Sequence, residues 1–237
     1  MKKREFRASS LQERKEFYEK EFNIEKVKKW FFDNGMQLSQ LCALDAGSET
    51  GIIIDKKLKG EMLYFPFSEL KKKIKKYIPE DLYYDRNIYE NPNAILRTLQ
   101  FDKFLLQELV FDIDADNIIC DCEKAELCDP CITKTFRWAK KMKKELEKDF
   151  DDVKLVYSGR GFHVHILDKR AFKLSVNERI KLNKKFSDYP IDPWVSKGHI
   201  RLIRMPYSLN GLVSRKVIPI ENNLKFNKKI SYPRFLL

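Results

Sequence analysis

Two aspartates two positions apart, Asp112 and Asp114, lie in the run QELVFDIDAD at 107–116, where Leu109, Phe111 and Ile113 alternate with Val110, Asp112 and Asp114. A period of two marks a strand, so both carboxylates leave the same face. Side chains placed this way stand a few ångströms apart, and two negative charges at that distance repel unless a cation lies between them. Mg2+ or Mn2+ would remove the repulsion. Such hard ions take oxygen ligands and bridge protein carboxylates to phosphates, which acidifies an attacking hydroxyl and stabilises a leaving pyrophosphate. The plain alternative is a solvated strand end, since a DxD pair by itself is common. The wholly apolar opposite face weighs toward a built site and leaves both readings open at this point.

Directly behind that strand come Cys120, Cys122, Cys128 and Cys131, spaced C-x-C-x5-C-x2-C, while Cys42 stands alone. In a reducing compartment such clustering favours a metal over disulfides. Four thiolates suit tetrahedral Zn2+ at Zn–S distances of about 2.3 Å. A site closed by four sulfurs has no position for substrate, so its expected role is structural, pinning the loop after the aspartate strand. A third set is YSGRGFHVHI at 157–166. Its glycines let the backbone approach a ligand, and Arg160 and His163 supply donors for phosphate oxygens. His163 and His165 share a strand face, and a lone pair of histidines reads more readily as ordinary sheet residues. Arg201 and Arg204, at odd spacing, are expected on opposite faces of a strand, so that at most one of them meets a bound phosphate.

These residues need elements to hold them. Apolar positions from Leu11 to Trp30 recur at helical spacing, and short apolar pieces at 38–67, among them GIIID and MLYFPF, predict strands with turns. SELKKKIKKYI at 68–78 predicts a helix with Ser68 as its N-cap and Pro79 just past its end. Ile132, Phe136, Ala139, Met142, Leu146 and Phe150 mark an amphipathic helix. VKLVYS and FHVHIL around a Gly-Arg-Gly turn predict a hairpin. A polar helix near 175–186, a loop around Asp192 and a strand at 199–205 complete the chain. No repeat or low-complexity linker divides it, so one domain over 1–237 is expected, with the cysteine insert at about 117–131.

The chain has 237 residues, 43% of them hydrophobic, enough for a sizeable core. Lys and Arg number 47 against 35 Asp and Glu, a net charge of +12. A positive field favours polyanionic partners, although general solubility accounts for such charge as well. No run approaches the roughly 18 apolar residues of a membrane span, and the N-terminal MKKREFRASS lacks a secretory h-region. A cytoplasmic location without membrane association is expected.

Taken in order, ELVFDIDAD at 108–116, the cysteine knuckle, SGRGFHVHI at 158–166 and IDPWVSKGHIRLIRMPYSLNG at 191–211 resemble the small catalytic subunit of archaeal and eukaryotic DNA primases. The likeness runs from about Leu11 to Pro219, and LYYDRNIYENP at 82–92 resembles the family's segment before the catalytic strand. The resemblance implies an α/β (α+β) domain on a mixed β-sheet, with flanking helices and a zinc knuckle. It implies two metals held by Asp112, Asp114 and Asp192, and it alone singles out Asp192. Around the incoming triphosphate it places Ser158, Arg160, His163 and Arg204, with Asn210 as a further contact. The implied activity is synthesis of short RNA or DNA primers from NTPs or dNTPs on a single-stranded DNA template, in a cytoplasmic, nucleoid-associated setting. The implied partner is a primase large subunit with an iron–sulfur domain, or a fused segment that replaces it, because Cys42 alone cannot ligate such a cluster.

The chain departs from the family pattern in three places. Its turn is one residue shorter than the usual SGxRGxH, although Arg160 keeps its offset to His163. Asn210 stands where the family usually has His, and an amide donates without adding charge. The stretch between His163 and Asp192 is short, and the chain stops soon after the last motif, in keeping with a compact form or a piece of something longer. Two other functions share these features: a repair or mobile-element polymerase that prefers dNTPs, and a zinc-bearing single-strand binding module without catalysis.

Overall fold

The computed structural model describes residues 6–47, 62–118, 127–221 and 226–237. The chain opens with helices α1 (Leu11–Lys20) and α2 (Ile24–Asp33), followed by strands β1 (Leu41–Asp45) and β2 (Met62–Pro66), helix α3 (Leu70–Tyr77) and strands β3 (Asp81–Asp85) and β4 (Asn87–Ile88). Next come α4 (Pro92–Thr98), β5 (Leu106–Gln107), β6 (Leu109–Asp114), α5 (Asp129–Leu146), β7 (Val153–Tyr157) and β8 (Gly161–Ile166). The remainder holds α6 (Lys169–Phe172), α7 (Val176–Lys185), α8 (Pro193–Ser196), β9 (Leu202–Arg204), β10 (Leu209–Asn210), β11 (Arg215–Lys216) and β12 (Ile218–Ile220). The expected strand GIIID lies outside the described residues.

Local chemistry sets several helix starts. Ser10 and Ser175 each form a capping box, with Glu13 and Glu178 respectively, and Asn23 caps α2. Ser68 does not act as the expected cap. It falls inside a short 3-10 turn, Phe67–Glu69, and α3 begins only at Leu70, where Leu70 and Ile74 can both turn into the core. The strand expected at 199–205 shrinks to β9 because the His199 and Ile200 amides close back on the Trp194 carbonyl at 3.0 and 3.2 Å.

Two main sheets carry the fold. One has the order β11-β10-β3-β1-β2, with β9 also on β3; the other has the order β12-β7-β8-β6; β4 and β5 form a small ribbon. The sheet is not mixed as expected, for every pairing among the described residues is antiparallel. β6 and β7 run parallel to one another across the α5 connection, but β8 returns from the hairpin and inserts between them, so no parallel ladder forms.

β6 lies between two cores, and its alternation serves both. Leu109, Phe111 and Ile113 pack with Leu155 and Val164 beneath Ala139, Met142 and Leu146 of α5. Val110, with Val156, joins the core of the other sheet, where Leu44, Phe65, Leu82, Tyr84 and Ile203 meet Val27, Trp30 and Phe31 of α2. Each such side chain fully buried contributes roughly 1.5–3 kcal/mol. The face of β6 that bears Asp112 and Asp114 therefore looks toward the second sheet. No described helix is long and apolar enough to cross a membrane.

Candidate active site

The third aspartate reaches the first two through a short addition to the open edge of β6. Ile191 bridges Ile113 in antiparallel sense, and the Asp192 amide donates to the Asp112 carbonyl at 2.9 Å. This register sets Asp192 opposite Asp112, so all three carboxylates belong to one face. On the other side of β6, His163 stands opposite Asp112 and Gly161 opposite Asp114. A Cβ on Gly161 would lie 2.2 Å from the Ile113 carbonyl oxygen and 2.9 Å from Asp114 Oδ1, so only glycine fits beside that carboxylate.

The electrostatics record the crowding. Burial, then Asp114 and, less strongly, Asp192 push the Asp112 carboxyl well above the usual range, against the counter-effect of Arg204 and Arg86. Asp112 Oδ1 is buried without a hydrogen-bond partner. An orphaned oxygen in an acidic cluster suits a hard cation, and the donor set fits Mg2+ or Mn2+ in that respect. The three side chains are not drawn into a ligand cage, however, and among the described residues no group of three or more His, Cys, Asp or Glu side chains is arranged to hold a metal. Asp192 turns Oδ1 toward the Trp194 amide, 2.8 Å away, to cap α8. Backbone position and field converge here, while the rotamers splay.

The two histidines part company. His165 Nδ1 is 2.7 Å from Glu108 Oε1, and Tyr84 donates its hydroxyl to Glu108 Oε2 at 2.8 Å, all of it buried. His163 Nε2 is 3.7 Å from Asp112 Oδ1, beyond hydrogen-bond reach, and its Nδ1 is buried without a partner. Burial, with the neighbouring His165, Arg204 and Arg86, pushes His163 well below its ordinary value, so the ring is neutral at pH 7.

The glycine turn does structural work that its sequence did not disclose. The Ser158 hydroxyl accepts from the Gly161 amide at 3.1 Å, and the Ser158 carbonyl accepts from Asn210 Nδ2 at 2.9 Å. Gly159 has φ +99°, and a Cβ there would lie 2.8 Å from Asn210 Cβ. Ser158 and Asn210 are thus a strut between the two sheets, with Asn210 Oδ1 buried and unpartnered. Arg160 is ion-paired with Asp116.

Arg204 makes a two-pronged contact with buried Asp81, Nε to Oδ1 and Nη2 to Oδ2, both 3.1 Å. Arg201 donates Nε to Asp85 at 3.1 Å and lies over the Phe101 ring at 3.5 Å. The two arginines therefore do not divide between faces as expected. Arg201 precedes β9, where the two-residue period no longer holds, and both reach aspartates four apart on one face of β3.

Cys128 and Cys131 sit at the start of α5 with their Sγ atoms 3.1 Å apart. Cys120 and Cys122 lie outside the described residues. The reading of the sequence missed Arg86, Asp81 and Glu108. Glu108 could have been found by extending the alternation of Val110, Asp112 and Asp114 back by two. Asp81 and Arg86 carry no such signal: the pairing of β3 with β10 brings Asp81 to the site, and Arg86, just past β3, is placed by its bonds to the Glu108 and Val195 carbonyls.

The family model described as DNA primase small subunit matches residues 111–191, which run from within β6 through the hairpin to Ile191, one residue before Asp192. A protein of Archaeoglobus fulgidus described as an uncharacterized DNA primase small subunit-like protein is 36% identical, over 98% of this chain and 92% of its own length. The DNA primase small subunit PriS of Pyrococcus furiosus is 30% identical over 74% of this chain and 48% of its own length. That of Pyrococcus abyssi is 29% identical over 74% and 48%. The chain spans about half the length of these PriS relatives. With nearly its whole length shared with a primase-like protein, and with Asp112, Asp114 and the hairpin inside the matched segment, this chain belongs to the DNA primase small subunit family.

Proposed function

We propose that this chain is the catalytic unit of a template-directed nucleotidyltransferase that builds short primers from NTPs or dNTPs on single-stranded DNA. The observation that carries the reading is the placement of Asp192 opposite Asp112, which gathers three carboxylates on one face from positions 80 residues apart in the chain. Mg2+ or Mn2+ held by Asp112, Asp114 and Asp192 would neutralise the triphosphate and acidify the primer hydroxyl. Asp112 offers an oxygen with no competing donor. Arg204, braced by Asp81, presents a fixed positive charge beside Asp112 for the triphosphate. His163, kept neutral by burial, supplies a ring nitrogen without adding charge. Arg160 exchanges its exposed pairing with Asp116 for a phosphate oxygen. Ser158 and Asn210 contribute by shaping the turn that the phosphates meet.

Cys120, Cys122, Cys128 and Cys131 are proposed to hold a structural Zn2+ behind β6, a reading supported by the adjacent sulfurs of Cys128 and Cys131. The natural partner is a primase large subunit or a fused equivalent, so extension of a primer should exceed initiation by the chain alone. Pyrophosphate release on a primed template tests the proposal: Asp112→Asn/Asp114→Asn should abolish it yet leave DNA affinity intact or higher. Unchanged release would overturn it. Competition of NTPs with dNTPs on the same template separates a primase from a repair-type polymerase.

A further inference from the structure

α8 leads away from the acidic site along the edge of β6. It starts at Asp192, whose amide is bonded to Asp112, and ends near Gly198, whose carbonyl accepts from Gln107 Nε2 at 3.2 Å. Five residue steps at about 3.3 Å each separate Gln107 from Asp112, so the path covers about 17 Å. Along it stand two aromatic rings in the open. Trp194 is 61% exposed and meets His199, also exposed, edge to face at 5.3 Å. An indole left this bare next to a reaction site is surface available to another flat ring.

Beyond His199 the path enters a groove of about 580 Å³, whose walls include Phe104, Lys173, Lys197 and Arg201. Phe104 is exposed, and neither Lys173 nor Lys197 makes an ion pair with another described residue. Arg201 holds Nη2 buried and without a hydrogen-bond partner. The groove wall carries a single acid, Asp102, among the described residues. Exposed rings beside two lysines that make no ion pair among the described residues, on a chain of net charge +12, suit the bases and phosphates of a nucleic-acid single strand.

We infer that a single strand runs from the carboxylate site over Trp194 and His199 into this groove, with bases on the rings and phosphates on Lys173 and Lys197. The inference rests on the proposed action on single-stranded DNA and adds the route that the strand takes. A protein docking on neighbouring Leu105 and Val176, both exposed, is the competing use of the surface.

The test is anisotropy of a labelled oligothymidylate in EDTA, which removes any dependence on nucleotide chemistry. Trp194→Ala should weaken binding by about tenfold, the effect of losing one stacking platform. Lys173→Glu/Lys197→Glu should weaken it at least as much and lower the slope of log affinity against log salt by about 1.4, at about 0.7 per lost phosphate contact. The charge-matched pair Lys71→Glu/Lys75→Glu, on exposed positions of α3, should have a much smaller effect. Equal loss in both pairs would mean that only the general field binds, and would overturn the route. So would groove variants that bind and extend primers as the parent does, which would leave the proposed function standing and leave the groove to a protein. Failure of the parent chain to bind the oligonucleotide would remove the proposed function itself.

Discussion

Two carboxylate–histidine pairs lie on one side of the β6–β8 ladder, and they are built to opposite ends. Glu108 and His165 sit 2.7 Å apart, Tyr84 satisfies the second carboxylate oxygen, and the Trp30 ring covers His165 edge to face at 5.5 Å. Asp112 and His163, nearer the strand end, stay 3.7 Å apart with an orphaned atom on each, whereas in the first pair the carboxylate is satisfied and only His165 Nε2 lacks a partner. Residue types are alike, but Asp112 is directly opposite His163, whereas Glu108 lies two residues before Val110, the residue opposite His165. The neighbours differ: hydroxyl and indole surround the first pair, and two more carboxylates surround the second. Donors close a polar cluster and make it part of the core, whereas added acids keep it open for a cation. Chemistry is thus assigned by what sits across the strand edge.

The contrast is broken most directly by exchanging the roles. Asp112→Asn should lower nucleotide incorporation on the order of a thousandfold, the scale of removing a charge-stabilising group, with the fold intact. Glu108→Leu should do the reverse: the Tyr84 hydroxyl and His165 Nδ1, 3.4 Å apart, lose the carboxylate and keep only each other, which should cost about 2 kcal/mol of stability, while incorporation per folded molecule stays near that of the parent. Urea denaturation and primer extension read the two effects separately. If Glu108→Leu abolished incorporation in folded protein, the two pairs would form one catalytic unit and the distinction would fail.

A smaller effect is expected behind the open pair. Asp81 has no hydrogen bond to Asp112, but it holds the Arg204 guanidinium by two bonds. Asp81→Asn keeps the shape and removes the charge and one acceptor, so Arg204 should wander. The Michaelis constant for the nucleotide should rise about tenfold with a lesser change in kcat, as expected for loss of a bidentate brace. Asp81→Glu should recover part of that loss if position is what matters. An equal fall in kcat alone would assign Asp81 to the chemistry instead.

Much of this arrangement was legible in the residues. Alternation over Leu109–Asp114 located β6 and put Asp112 and Asp114 together, and the glycines between two β-rich runs located the hairpin, because both signals are local. Asp192 was not readable from its own surroundings. What places it is the bridge from Ile191 to Ile113, a pairing between distant segments, and only the likeness to a family pointed there. Arg201 and Arg204 misled for a related reason: parity holds within a strand, and β9 starts after Arg201. Ser158, a triphosphate contact only by the family likeness, also accepts a hydrogen bond from its own loop, which its local sequence does not disclose. Side chains that face tertiary partners escape local rules, since the partner is chosen by topology.

The smallest effect expected is on stability, and its sign separates the two pairs as surely as activity does. Burial and two neighbouring carboxylates raise the folded-state pKa of Asp112 well above its unfolded value. Between those two values the native chain binds more protons than the unfolded chain, so this group makes stability fall as pH rises through the interval. Asp112→Asn abolishes that dependence. In EDTA the variant should therefore be the more stable protein at neutral pH, by on the order of 1 kcal/mol, and the gap should close as pH falls toward the unfolded carboxylate range near 4. Mn2+ should narrow the gap from the other side, because a cation bound by the native parent stabilises it and finds a poorer site in the variant. Melting curves of both proteins across pH, with and without Mn2+, measure all of this. A parent that stays more stable than the variant at neutral pH in EDTA would show that Asp112 is a satisfied core carboxylate like Glu108, and the comparison would dissolve.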